Sequence, residues 1–256
     1  MQVIIPMTGH GSRFVAAGYK ELKPFIKVHG KPMLEWVVSM FPDDEATISF
    51  VCRQSHLDTI AGMEKELLGI APQARIIAID NWQKKGPVFD IMQVYEQFNE
   101  EQPILISYCD YYMHWDYAAF KRQVLTSDYA GAIPCYSGFH PHLTMPQNVY
   151  ASCKVDAEEN LIEIREKFCW TENKFLSRHS PGMYYFKTAA IFKRAAEAMF
   201  AAKEALNGEY YASLPYNYLV KAGLKVWCPI NVSHFCQWGT PEDLQHYLNW
   251  ADCFIK

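Results

Sequence analysis

The chain has 256 residues, half of them hydrophobic, a formal net charge of −4 and eight cysteines. That balance offers no basic surface for nucleic acid or an anionic membrane, and no run reaches the roughly 20 apolar residues of a membrane span. The first residues enter a strand with no basic-then-apolar leader, so no signal peptide is expected. The cysteines form no CxxC pair and show no metal-ligand spacing, which implies reduced, mostly buried thiols in a cytoplasmic protein. Short apolar runs at 3–6, 47–51, 74–79 and 104–107 read as strands, and 33–40, 56–67 and 88–97 as helices. This alternation predicts an α/β fold with a mostly parallel, doubly wound sheet flanked by helices. In the second half, strands are predicted at 130–134, 149–155, 162–166 and 183–186, with helices at 189–205 and near 211–221. A strand at 225–229 and a helix over 241–254 close the chain. With no repeat, low-complexity segment or linker, a single domain over 1–256 with a mixed sheet is expected.

The chemistry starts at the first strand, which runs into Gly9-His10-Gly11-Ser12-Arg13. Glycines there let the backbone turn tightly and approach a ligand with no Cβ in the way. Successive N–H groups in such a turn cradle an anion. Arg13 adds a planar fork of donors suited to phosphate oxygens, and Lys23, followed by Pro24, adds a second cation. These residue types in this order make a polyphosphate site. A dinucleotide fingerprint is excluded because Phe14 occupies the third glycine position, and the Gly-Lys-Ser/Thr of a P-loop is absent. An ordinary βα turn competes for the two glycines alone, and a solvated side chain is the plain alternative for Lys23. The continuation through Lys23-Pro24 to Gly30-Lys31-Pro32-Met33 speaks against both.

Asp110 ends the apolar run ILISYCD. A carboxylate at the C-terminal end of a parallel strand faces the ligand crevice, where it is a natural ligand for Mg2+; a turn cap is the alternative. Asp116 is open to either role, the cap ahead of the metal. The aromatic group Tyr108, Tyr111, Tyr112 and Trp115 reads as core, with a base or acceptor pocket as the competing use. His140-Pro141-His142, taken with His114 and His179, invites a metal reading but lacks a fourth ligand at helical spacing. These histidines are expected to be loop residues or acceptor contacts.

The runs GHGSRF and KPFIKVHGKPMLEW resemble the signature of the sugar-phosphate nucleotidylyltransferases, a superfamily that includes glucose-1-phosphate thymidylyltransferase and phosphocholine cytidylyltransferase. The similarity continues in order over nearly the whole chain. Lys85-Gly86-Pro87 resembles the segment that approaches the base, and Ser107-Tyr108-Cys109-Asp110 the strand ending in the metal-binding aspartate. Glu166-Lys167 resembles the acceptor-site pair, and Gly182-Met183-Tyr184-Tyr185-Phe186 the GxYxF strand. Asn207-Gly208-Glu209-Tyr210 and Gly239-Thr240-Pro241-Glu242-Asp243-Leu244 resemble the late landmarks. The bacterial capsule and surface-polysaccharide subset is the most similar.

The resemblance implies a Rossmann-like, GT-A-like nucleotidyltransferase fold with residues 1–115 binding nucleotide and 116–256 binding acceptor. It implies Mg2+-dependent transfer of a nucleoside monophosphate from a nucleoside triphosphate, CTP being favoured, to a small phosphorylated acceptor such as a sugar phosphate, phospho-alcohol or phospho-amino-acid-like compound. Arg13 would hold the β/γ-phosphates and Lys23 the α-phosphate. Met7, Gly9, Gly11, Ser12, Arg13, Lys85, Gly86 and Asp110 would contact the nucleotide. Glu166, Lys167, Gly182 and Glu209 would contact the acceptor, and Asp110 would bind the metal. Neither nucleic acid nor membrane is an expected partner, and a homodimer is compatible with the sequence.

One departure stands out. Many members carry a second metal-binding aspartate two residues before the late glycine, and here that position is Gln237. Asp110 and the phosphates would hold the metal alone, or Glu209 would substitute, or activity would be lost. Two competing functions are open to the sequence. An A-type glycosyltransferase would need an Asp-x-Asp, but Tyr111-Tyr112 follow Asp110. A non-catalytic nucleotide-binding homologue is motivated by Gln237 alone.

Overall fold

The computed structural model describes residues 1–42 and 46–254, the side chains of Cys253 and Phe254 excepted. Its centre is a seven-stranded sheet in the spatial order Val226–Trp227, Gly131–Ala132, Met183–Phe186, Ile104–Ser107, Gln2–Pro6, Thr47–Arg53, Arg75–Ile79. Four of the six neighbouring pairs are parallel, and Met183–Phe186 runs antiparallel to both its neighbours. The first strand is apolar at every inner position because both faces are covered. Ile4 packs on one side with Val51 and Ile106, beneath the helices Pro87–Gln93 and Ala189–Ala201. Val3 and Ile5 pack on the other with Phe50 and Leu105, beneath Met33–Ser39 and Tyr117–Thr126.

The register sets the site. Gln2 is opposite Ile104 and Ile4 opposite Ile106, so the glycine turn after Pro6 and the segment carrying Asp110 leave the same edge of the sheet side by side. Beyond that edge, Tyr111–Trp115 pairs antiparallel with Val232–Gln237, with Gln237 opposite Tyr111. A third cluster, of Phe14, Val28, Met33, Cys236, Trp238 and Leu244, ties the glycine turn to the C-terminal helix Pro241–Phe254. A smaller antiparallel sheet consists of Leu161–Arg165, Ala151–Val155 and Arg178–Ser180, and its strand Leu161–Arg165 leads into Glu166 and Lys167.

Several elements differ from the sequence expectation. The helix expected over 56–67 is two, Gln54–Thr59 and Met63–Ile70, broken at Gly62, whose φ of 78° no helix holds. The helix of 88–97 ends at Gln93 and continues as a 3-10 turn, Tyr95–Gln97. The strands expected at 130–134 and 225–229 shorten to the two-residue strands Gly131–Ala132 and Val226–Trp227, the second of them at the sheet's edge. The ribbon strands Tyr111–Trp115 and Val232–Gln237, the strand Arg178–Ser180 and the helix Tyr117–Thr126 were not expected. That helix is capped by Asp116, whose Oδ1 accepts from the Ala119 amide at 2.8 Å.

Candidate active site

Gly11 is the N-cap of the short helix Ser12–Ala16 at φ 60°, ψ 32°, a left-handed conformation that glycine adopts without penalty. Its carbonyl accepts from the Phe14 and Val15 amides at 2.8 and 3.1 Å. Phe14 is buried and anchors the turn, which leaves Ser12 and Arg13 exposed; Arg13 has no ion pair among the described residues. Met7 lies at the strand exit, its side chain buried and its amide bonded to the Val51 carbonyl at 2.9 Å. A methyl group on Gly11 would stand 3.2 Å from Lys23 Cβ, so turn and lysine are in contact.

Lys23 opens the 3-10 turn Lys23–Phe25, with Pro24 next. Its Nζ forms an ion pair with Asp110 Oδ2 and donates to the Gly239 carbonyl at 2.9 Å. The two side chains are about one-fifth exposed, at 18% and 22%, so the pair opens onto solvent. Gly239 leaves the space these groups share. A Cβ there would fall 2.6 Å from Gln237 Nε2, 3.3 Å from Asp243 Oδ2 and 3.6 Å from Asp110 Oδ2. Gln237 therefore stands beside Asp110, where the ribbon register delivers it. Asp243 is otherwise engaged: Oδ2 accepts from the Thr240 amide at 2.9 Å and Oδ1 pairs with His142 Nε2 at 2.7 Å. A hard cation would find the Asp110 carboxylate, the Gln237 side-chain amide and open space for phosphate oxygens, a donor set that fits Mg2+ once a triphosphate supplies those oxygens.

At the pair expected to meet the acceptor, Glu166 Oε1 accepts from Ser213 Oγ. Burial pushes this carboxyl up to about 7, against the opposing Ser213 hydrogen bond and the Lys167 charge. Lys167 has φ 53° and its ammonium lies 5.7 Å from the Tyr211 ring centre. Arg165 points away and pairs with Glu163 at 2.5 Å. Gly182, at φ 126°, lies against the Tyr108 ring, which a Cβ would meet at 3.0 Å. Across the opening, Lys84 pairs with Glu209 at 3.5 Å, Lys85 lies over Phe89 at 4.6 Å, and the Lys85 carbonyl accepts from the Tyr210 amide at 2.7 Å. Gly86 fits against that backbone: a Cβ would stand 2.7 Å from the Tyr210 nitrogen. Glu209 thus lies by Gly86 and Lys84, in no described contact with Asp110.

Sequence reasoning missed a buried polar group behind the turn. Arg53 ends its strand as Asp110 follows its own. Its guanidinium lies 3.2 Å from the Trp82 ring centre, donates to the Thr8 carbonyl and contacts His10 Nε2 at 2.6 Å. Thr8 Oγ1 donates to Asp90, whose carboxyl burial lifts to about 6. The strand-end argument that found Asp110 applies equally to Arg53. The histidine pair has a packing use. His140 is buried, stacks on Phe235 at 4.2 Å and is pushed down to about 3, mainly by burial. With His114, His142, His234 and His246 it lines a cavity of about 470 Å³ beside Gln237. None of these histidines belongs to a metal-binding group among the described residues. Trp238 and Tyr111 are core.

The profile of the family described as "MobA-like NTP transferase domain" matches residues 3–173. No curated protein matches the chain. Among solved structures, a nucleoside-diphosphate-sugar pyrophosphorylase from Vibrio cholerae RC9 superposes with a TM-score of 0.74 at 20% identity, covering 96% of this chain and 99% of its own. A putative glucose-1-phosphate thymidylyltransferase from Bacillus anthracis gives 0.75 at 18%, covering 98% and 95%. The inositol-1-phosphate CTP transferase from T. maritima gives 0.69 at 14%, covering 96% and 92%. At these identities the likeness is one of fold.

Proposed function

The chain belongs to the MobA-like NTP transferase family, and from that premise we propose that it moves a nucleoside monophosphate from a nucleoside triphosphate onto the phosphate of a small sugar phosphate or phospho-alcohol. An acceptor phosphate oxygen attacks the α-phosphorus, a new P–O bond forms, the bond to the β-phosphate breaks, and pyrophosphate leaves. No side chain need form a covalent bond, so catalysis rests on position and charge. The chain acts as one domain, with 1–115 holding the nucleotide and 116–256 the acceptor. CTP as donor and a place in capsule or surface-polysaccharide supply are part of this reading; both rest on the motif resemblance.

The observation that carries the reading is the seating of Lys23 against the glycine turn, between Asp110 and the Gly239 carbonyl. From there its ammonium can meet the α-phosphate, where charge concentrates between attacker and leaving group. Arg13, exposed on the first turn of its helix, meets the β/γ-phosphates and then the pyrophosphate. Asp110 and the Gln237 amide oxygen would hold Mg2+ with the phosphates, and the ion when bound neutralises triphosphate charge. Glu166 and Lys167 orient the acceptor. The test is pyrophosphate release from each common triphosphate with Mg2+ and a panel of sugar phosphates and phospho-alcohols. Release only when triphosphate and phosphorylated acceptor are both present supports the reading. Turnover of a nucleotide-sugar without pyrophosphate overturns it in favour of a glycosyltransferase.

A further inference from the structure

Three cysteines far apart in sequence meet in the core. Cys135 follows the strand Gly131–Ala132, Cys153 lies in Ala151–Val155, and Cys228 follows the edge strand Val226–Trp227. Their sulfurs all lie within 4.8 Å of one another, and Cys135 Sγ is 3.9 Å from Cys153 Sγ. Exposure is 0%, 3% and 0%. No CxxC marks this group, because each ligand comes from a different segment and the fold alone assembles them.

We propose that Cys135, Cys153 and Cys228 form a dry three-thiolate site for a soft, thiophilic d10 metal ion of the copper(I) or zinc(II) class, remote from the nucleotide chemistry. Two sulfurs bound to one ion at about 2.3 Å stand about 3.8 Å apart in a tetrahedral site and about 4.0 Å in a trigonal one. The Cys135–Cys153 separation of 3.9 Å already meets that requirement. Soft thiolates select such ions over magnesium or calcium. Each thiol gives its proton to solvent as its sulfur binds, and no electron is transferred. A positive charge lies close by: Arg178 donates to Glu159 Oε1 at 2.8 Å and to the Cys228 carbonyl at 2.5 Å. Arg178 is also the register partner of Cys153.

The placement gives the site a structural role. Cys228 and Cys135 sit at the edge of the central sheet, and Cys153 is opposite Ile164 in the small sheet, two residues from Glu166. A shared ion would staple the small sheet, whose strand Leu161–Arg165 leads into Glu166 and Lys167, to the body of the molecule. The buried site must be loaded as the chain folds.

The test refolds the full chain anaerobically with cadmium(II), an optical probe for thiolate, then removes loose metal with a chelator and gel filtration. Retention of about one ion per chain, with a thiolate-to-metal charge-transfer band and a raised unfolding midpoint, is expected. Competition with zinc(II) and with copper(I) then identifies the preferred ion. Cys153→Ser and Cys228→Ser should each abolish retention, while Cys169→Ser, outside the cluster, should keep it. If the serine variants fail to fold, Cys153→Ala and Cys228→Ala give the same reading with an apolar replacement. Wild type that folds and retains no ion, or variants that retain it as well as wild type, would show that the three thiols are plain core packing.

Discussion

In the proposed phosphate site Lys23 leans on Asp110 and the Gly239 carbonyl, whereas Arg13 stands exposed. Lys23→Ala and Arg13→Ala should each lower the rate of pyrophosphate release on the order of 100-fold or more, with circular dichroism unchanged, because both side chains meet solvent and neither fills the core. Turnover within about tenfold of wild type in both variants would refute the assignment. Gly11→Ala should act on the same lysine indirectly. The added methyl meets Lys23 Cβ at 3.2 Å and the backbone is left-handed, so a stability loss of about 1 kcal/mol should accompany a fall in kcat, read by denaturant titration and steady-state kinetics. Gly86→Ala should be worse. Its φ of 90° and ψ of 170° suit glycine almost alone, and the new Cβ would strike Tyr210 backbone at 2.7 Å. At this scale the sequence was readable where the chemistry is local. Gly9 through Lys23 stood in one stretch, and the strand-end rule located Asp110. Ser213 on Glu166 and Arg53 on Trp82 were not readable, because only the fold brings those pairs together.

Elements fix what residues cannot. The helix Pro241–Phe254 starts with a reciprocal cap: the Thr240 amide donates to Asp243 Oδ2 at 2.9 Å and the Asp243 amide to Thr240 Oγ1 at 3.1 Å. Asp243→Ala removes this cap and the His142 contact together. It should cost about 1–2 kcal/mol by thermal or denaturant unfolding, and it should lower turnover, because the Gly239 carbonyl that holds Lys23 lies just before the cap. The small sheet gives a pH signature. The Glu166 carboxyl is raised from 4.5 to about 7, so the folded chain binds a proton that the unfolded chain has released. That contribution to stability is full below about pH 4.5 and is lost as pH rises toward 7. Asp90, raised from 3.8 to about 6, has the same sign over a lower window. Glu166→Gln should flatten the fall in unfolding midpoint between those limits, and an unchanged slope would count against a raised Glu166. The alternation of long strands and helices in the first half was readable from period and length. The ribbon Tyr111–Trp115 with Val232–Gln237 was not, since its aromatic residues read equally well as core and its partner lies at the far end of the chain.

Over the whole molecule, strands and loops from both halves place one lysine and one carboxylate in mutual neutralisation. Without ligand, Asp110 Oδ2 is taken up by Lys23, and the neighbour that could have supplied a second carboxylate is Gln237. The unliganded protein therefore presents a divalent cation with a carboxylate already paired and an amide, a poor set for Mg2+. On the proposed reading a triphosphate would change this by giving Lys23 a new anionic partner, which would free Asp110, and by contributing its own oxygens. Metal and nucleotide should therefore bind with positive coupling, each tightening the other by the same factor. Calorimetry should find weak Mg2+ binding to the free protein and a clear gain with a triphosphate present. Two variants separate the causes. Lys23→Met should strengthen Mg2+ binding to the free protein by releasing Asp110, although its turnover should fall as in Lys23→Ala. Gln237→Asp should strengthen it by adding a charged oxygen, and its turnover need not rise, since a metal held too firmly slows pyrophosphate release. Tight Mg2+ binding to the unliganded wild type, or no gain in either variant, would show that the Lys23–Asp110 pair does not gate the metal.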